Sequence, residues 1–205
     1  MYTDSNQSVY IFLFVWYNAS IGEKNNMFET ERLIIRRFTP NDAKDVYECC
    51  NDFEVVKTTL GMPWPYTYEI ASKWVSTRQE KENNKVAYEF AICFKENPDR
   101  VIGCVALMDI NTNAKRAEMG YWVGRKYWKQ GIATEAAKVM IKFGFEILGL
   151  HSIIARYFDI NPASGRVMEK CGMTYVGTIR EHEFRFDKYY NVGYYEMLET
   201  DEREQ

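Results

Sequence analysis

Trp128, Lys129, Gln130, Gly131, Ile132, Ala133 and Thr134 follow closely on the apolar segment Tyr121–Val123 and lead into a helical stretch. A turn at such a strand-to-helix junction aims several unpaired backbone N–H groups, and the positive end of the helix dipole, at one spot. That spot suits a phosphate or pyrophosphate. Gly131 lets the backbone approach closely, Ala133 adds little bulk, and Arg125, Lys126 and Lys129 bring positive charge to the flank. The run is neither of the two commonest phosphate loops. No Gly-x-x-x-x-Gly-Lys-Ser/Thr supplies the lysine and magnesium-binding hydroxyl of triphosphate chemistry, and no Gly-x-Gly-x-x-Gly opens a dinucleotide fold. A pyrophosphate cofactor that requires no metal fits these residues; an ordinary tight connection is the alternative reading.

Periodicity and punctuation define the elements that must position this cradle. Glu31–Arg37 reads as a first strand, Thr39–Asp42 as a helix start, and Asp42–Asn51 as the helix itself. Pro63 and Pro65 break the chain, after which Thr67–Asn83 carries helical spacing in Ile70, Trp74 and Val75. Val86–Lys95, Arg100–Asp109 and Arg116–Val123 form an antiparallel meander, with turns at Asn97–Asp99 and Asn111–Asn113. Beyond the cradle, Ala133, Ala136, Ala137, Met140, Ile141, Gly144 and Leu148 share one helical face. Gly149 stops that helix and Ser152–Phe158 is a strand. Asn161 and Pro162 then supply the N-cap and first turn of a second helix, which buries Val167, Met168 and Cys171 and ends at Gly172. Met173–Glu183 and Tyr189–Leu198 close the pattern as a strand pair.

A chain of 205 residues with 46% hydrophobic composition suits one globular domain. Its formal net charge of −3 lacks the electrostatic footprint of a nucleic-acid binder. Cys49, Cys50, Cys93, Cys104 and Cys171 form no C-x-x-C pair and read as reduced core residues of a cytoplasmic protein, with no metal site. Val9–Tyr17 is strongly apolar but too short to cross a bilayer as a helix, and no Lys or Arg precedes it, so no membrane span is expected. Residues 1–26 read as a leader or extension, residues 27–199 as the folded domain and residues 200–205 as a charged tail. An ordered leader would pair with the sheet or with a second copy, which makes a homodimer one candidate assembly.

This order of strand, helices, three-strand meander, cradle helix, strand, helix and final strand pair resembles the GNAT-type N-acetyltransferases. The resemblance implies an α/β fold with a mixed, mostly antiparallel central sheet flanked by helices. Trp128-Lys129-Gln130-Gly131-Ile132-Ala133 occupies the place of the family's acetyl-CoA loop, usually Gln/Arg-x-x-Gly-x-Gly/Ala, with Trp128 in place of Gln/Arg. Together with Ala133–Ala137, Leu150-His151 and Asn161–Met173, that tryptophan is similar to the branch containing ribosomal-protein N-terminal (alanine/serine) acetyltransferases. The similarity spans about Met27–Glu199. Lys129 and Gln130 stand where Gly-Lys is frequent, and Gly165 puts a helix-weakening residue early in the second helix.

What the resemblance implies about chemistry can be placed residue by residue. Tyr121, Trp122 and Val123 would pair their backbone with the pantetheine arm, and the N–H of Trp122 or Val123 would polarise the thioester carbonyl. Trp128 to Thr134 would hold the pyrophosphate. Asn161 and Ser164, one turn apart, would face the pantetheine, with Ser164 matching the proposed acid for the leaving thiolate; Asn161 is equally well a plain helix cap. Glu183 matches the base proposed in the ribosomal-protein branch, and Glu118 the carboxylate of histone-type relatives; Glu183 is favoured. Trp64, Tyr66, Tyr68, Phe184, Phe186, Tyr189 and Tyr190 could line an acceptor cleft, and His151 and His182 read as structural. Cys171, on a buried helical face, is no nucleophile.

The expected activity is direct acetyl transfer from acetyl-CoA (coenzyme A) to a primary amine, chiefly a protein N-terminal α-amine. A small amine such as an aminoglycoside, polyamine or amino acid, or a non-catalytic acyl-CoA sensor, are the rivals.

Overall fold

Side-chain alternation along three central strands divides the molecule into two cores, one on each face of a single sheet. The computed structural model describes residues 26–201, so the run Val9–Tyr17 and the end of the charged tail lie outside the described residues. The strands are β1 (Asn26–Glu29), β2 (Leu33–Arg36), β3 (Tyr88–Phe94), β4 (Asn97–Asn111), β5 (Arg116–Val123), β6 (Ser152–Phe158), β7 (Thr174–Arg185) and β8 (Lys188–Leu198), ordered β1-β2-β3-β4-β5-β6-β8-β7. Among the described residues only β5 and β6 run parallel, giving the mixed, mostly antiparallel sheet expected. The helices are α1 (Ala43–Cys50), α2 (Phe53–Val56), α3 (Tyr68–Ser76), α4 (Arg78–Asn83), α5 (Ile132–Lys142) and α6 (Pro162–Lys170). Phe90, Ile92, Leu107 and Met119 share one core with Ala136, Ala137 and Met140 of α5 and Met168 of α6. Ala91, Cys93 and Val101 share the other with residues of α1, α2 and α3.

Several boundaries differ from the sequence reading. The edge strand β1 was not expected; it pairs with β2, and Phe28 packs against Phe90 and Phe143. Asn97–Asp99 is strand, not turn: the chain reverses over Lys95 and Glu96, with Phe94 opposite Asn97. The segment 67–83 breaks at Thr77 into two helices, where Arg78 turns inward to a buried carboxylate. The helix after the cradle finishes as a π-helical turn, Phe143–Ile147. Asn161 sits at the N-cap position of α6 but makes no side-chain capping bond. Gly165 serves packing: a Cβ there would come within 3.2 Å of the Tyr157 ring, so glycine lets α6 lie close on β6.

Candidate active site

β5 pairs with β6 from Arg116↔Ser152 to Met119↔Ala155 and stops. Its pairing with β4 continues to Gly103↔Val123. The two parallel strands therefore part at Gly120. The Trp122 carbonyl faces β4, because a Cβ on Gly103 would lie 2.6 Å from it. Strand alternation turns the polar backbone of Tyr121 and Val123 the other way, into the gap. There the Val123 carbonyl accepts a 2.7 Å bond from Trp128 Nε1, which ties the following loop to the end of β5.

That loop closes the cradle. Gly131 holds φ +78°, and a Cβ there would meet only the Arg32 guanidinium, at 3.5 Å. Lys129 also adopts positive φ, a conformation in which glycine is more comfortable. The first α5 bond runs from the Glu135 N–H to the Gly131 carbonyl, 3.0 Å, so the N–H groups of Ile132, Ala133 and Thr134 have no intrahelical acceptor. Arg32 fixes the loop from the side: Nη1 donates to the Gln130 carbonyl at 3.0 Å, and Nε and Nη2 donate to Glu135 Oε2 at 2.8 and 2.6 Å. Burial alone would raise the Glu135 pKa, but hydrogen bonds from Thr30 and Arg32 outweigh it and hold the carboxyl below the usual range.

One cavity of about 850 Å³ joins the cradle and the gap to the sheet face beneath α2 and α3. Tyr121, Trp122, Val123, Asn161, Ser164 and every residue from Trp128 to Thr134 line it. Glu118 lines it too, and Glu183 does not. Arg156 of β6 stands between the two carboxylates, with Nε 2.9 Å from both oxygens of Glu118 and Nη1 3.6 Å from Glu183 Oε1. Across the gap, the Tyr121 hydroxyl donates to the Ser164 carbonyl at 2.9 Å and lies 3.0 Å from Ser164 Oγ. Across the second of these contacts either hydroxyl can donate. Burial pushes the Tyr121 phenol well up, against a smaller opposing effect of Ser164, so it stays protonated.

The remaining expectations divide. Asn161 Nδ2 points toward the Thr58 carbonyl, at 3.5 Å. Burial pushes the Cys171 thiol up to about 11, consistent with an inert core residue. Of the seven aromatic residues considered for an acceptor cleft, only Tyr66 lines the cavity. Trp64 and Phe186 pack on Phe53, Tyr68 on Tyr47, Phe184 on Tyr189, and Tyr190 on Phe158; ring pairing holds these six elsewhere. His151 lies 3.1 Å from Glu199 and His182 packs near Tyr194, both away from the cavity lining.

Residues 32–174 match the family model described as Acetyltransferase (GNAT) domain. The chain belongs to the GNAT acetyltransferase family. It is 30% identical over 173 residues to the Bacillus subtilis (strain 168) protein named Uncharacterized N-acetyltransferase YnaD, covering 84% of this chain and 96% of that one. It is 25% identical over 175 residues to the Ribosomal-protein-serine acetyltransferase of Escherichia coli (strain K12), covering 82% and 94%. The crystal structure of a GNAT-family acetyltransferase from Bacillus anthracis superposes with a TM-score of 0.74 at 29% identity, covering 84% of this chain and 98% of that one. The chain is accordingly an acetyl-CoA-dependent N-acetyltransferase of GNAT type.

The geometry fits that cofactor. Open N–H groups at the start of α5, positive φ at Gly131 and an unpaired strand edge on β5 offer donors for a pyrophosphate and for an amide-bearing arm, all along one cavity. Sequence reading missed Arg156, Glu89 and Arg185. The first two share one signal, a lone charge inside an otherwise apolar strand. Arg185 gives no such signal: it donates to the Thr59 and Met62 carbonyls, tying the β7–β8 hairpin to the loop over the acceptor side.

Proposed function

We propose that this enzyme acetylates the α-amine of a polypeptide N-terminus by direct transfer. The observation that carries this reading is that every carboxylate lining the cavity is matched to a cation: Glu54 to Lys57, Glu89 to Arg78 and Glu118 to Arg156. Lys57, Lys129, Arg156, Arg166 and Lys170 also line it, so the cavity suits phosphates and disfavours a polycationic acceptor. No free carboxylate in the cavity is placed to strip a lysine ammonium, whose reference pKa is about 10.4. An α-amine, near 7.7–8.0, is already partly neutral at pH 7.5, and a base acting through water suffices. Likeness to the E. coli ribosomal-protein-serine acetyltransferase supports the same acceptor class.

Acetyl-CoA supplies an acetyl thioester. In this reading the cradle N–H groups of Ile132, Ala133 and Thr134 hold its pyrophosphate, and the open edge of β5 orients its arm. The Val123 N–H, turned into the gap, holds the carbonyl oxygen; Trp122, whose carbonyl faces β4, does not. Glu183 takes the ammonium proton through water, since Arg156 engages both oxygens of Glu118. Ser164 passes its hydroxyl proton to the departing sulfur and regains one from the nitrogen as the tetrahedral intermediate collapses to the neutral amide, and Tyr121, bonded to it, orients that hydroxyl. Five free, buried cysteines suit a reducing compartment such as the cytoplasm.

A peptide carrying both a free α-amine and one lysine, incubated with acetyl-CoA and mapped by tandem mass spectrometry, gains acetyl at the α-amine. Acetylation confined to lysine, or turnover of spermidine with none of the peptide, overturns the reading.

A further inference from the structure

Glu89 has no part in the chemistry described so far, yet it is a carboxylate in the middle of an apolar strand, 9% exposed, facing the cavity. Its position in the sheet is specific. Glu89 of β3 lies opposite Ala106 of β4, and Ala106 lies opposite Gly120 of β5, the residue at which β5 leaves β6. All three line the cavity. The row from Gly120 to Glu89 crosses two strand spacings, about 10 Å, over residues with little or no side chain. A Cβ on Gly120 would lie 2.7 Å from the flexible end of the Met108 side chain, which rests over the start of the row, and Ala106 keeps the stretch from there to Glu89 low.

The carboxylate is held as a ligand group would be. Arg78 Nη1 bonds Glu89 Oε2, and Lys81 Nζ approaches the same oxygen at 3.8 Å. No hydrogen bond among the described residues falls on Oε1. Arg78 is itself fixed, stacked 4.2 Å over Trp74 with Nη2 on Thr77 Oγ1 at 2.7 Å, while its Nε is buried without a hydrogen-bond partner. Burying an arginine with an unpaired donor to orient one carboxylate is poor stability design, because desolvation offsets the attraction. It is good design for a fixed acceptor oxygen.

We propose that Glu89 Oε1 is the specificity contact for the acceptor's second or third residue, receiving a neutral hydrogen-bond donor such as an amide N–H or a hydroxyl. This rests on the α-amine reading. Extended chain advances about 3.3–3.6 Å per residue, so two residues plus the reach of the glutamate side chain span the row. With Arg78 and Lys81 beside it the cluster carries net positive charge, so a second ammonium is disfavoured there.

The test compares kcat/KM for a tripeptide amide with that for a single amino-acid amide, in wild type, Glu89→Gln and Ala106→Val. Both variants are expected to lower the tripeptide-to-monomer ratio about 10-fold: in Glu89→Gln the one remaining acceptor oxygen is drawn to Arg78 and an NH2 faces the ligand's donor, and Ala106→Val obstructs the approach. Ala106→Val narrows the row while leaving the Arg78–Glu89 pair in place, so it guards against misfolding of Glu89→Gln; thermal melts confirm that each folds. An unchanged ratio in both folded variants overturns the proposal. If wild type acetylates no peptide, the α-amine reading fails first. The same variants are then assayed on a series of amines of increasing length, where a length-dependent loss retains Glu89 as the contact and a uniform or absent loss removes it.

Discussion

Arg156 Nε lies 2.9 Å from each oxygen of Glu118 while its Nη1 stands 3.6 Å from Glu183 Oε1, so Glu118 is the tightly engaged carboxylate of the two and Glu183 the looser one. The Glu118 side chain is 12% exposed and the guanidinium stays charged, so Glu118 acts as a fixed counter-ion. Glu118→Gln should destabilise the fold by about 1.5–3 kcal/mol, the range for a hydrogen bond to a charged group. A urea midpoint that does not move would contradict the pairing.

Tyr121 and Ser164 form one hydrogen-bonded unit across the gap. Ser164→Ala should lower kcat about 100-fold, within the usual range for general acid–base groups. Tyr121→Phe should also lower it, and the double variant should be little worse than Ser164→Ala alone. Losses that multiply in the double variant would show independent roles.

The cradle should be sensitive to its backbone more than to its charges. Gly131→Ala forces a Cβ residue into φ +78°, at a cost of about 1–3 kcal/mol, and should weaken acetyl-CoA binding about 10-fold or more. Trp128→Phe removes the 2.7 Å bond to the Val123 carbonyl and should weaken binding by about 0.5–1.5 kcal/mol with kcat largely retained. Calorimetric titration with CoA reads both, and affinities equal to wild type would contradict the cradle.

Acid should loosen the anchor between β2 and α5. The Glu135 pKa is lowered in the folded state, so its contribution is fully present above the unfolded value, about 4.3, and is lost as pH falls through the lower folded value. Glu135→Gln should flatten the fall of melting temperature with pH below about 5 relative to wild type. Parallel curves would show that Glu135 carries none of that dependence.

Local signals made much of this molecule legible. The strand-to-helix turn at Gly131, the meander and the final strand pair each announce themselves through glycine, proline and alternation, and they arrive where expected apart from the reversal at Lys95 and Glu96. The side chains that set the site's electrostatics do not. Arg156 meets Glu118 from a strand 38 positions later, and Arg78 meets Glu89 across a helix-to-strand junction, so both pairs depend on sheet register. Of the aromatic residues considered for the acceptor cleft, Tyr66 alone lines the cavity, for a related reason. Composition reveals that Trp64, Phe184 and Phe186 are present, but only packing shows that rings satisfy one another outside the cavity.

The most direct test of the mechanism is the acceptor-dependent rate of CoA release by Glu183→Gln, measured from pH 6 to 9 with an α-amine peptide and saturating acetyl-CoA. The account predicts a loss of about 100-fold near pH 7 that narrows as pH rises and the amine deprotonates unaided, with acetyl-CoA affinity unchanged. A rate equal to wild type across that range would contradict Glu183 as the base, and with it the assignment of proton transfer at this site.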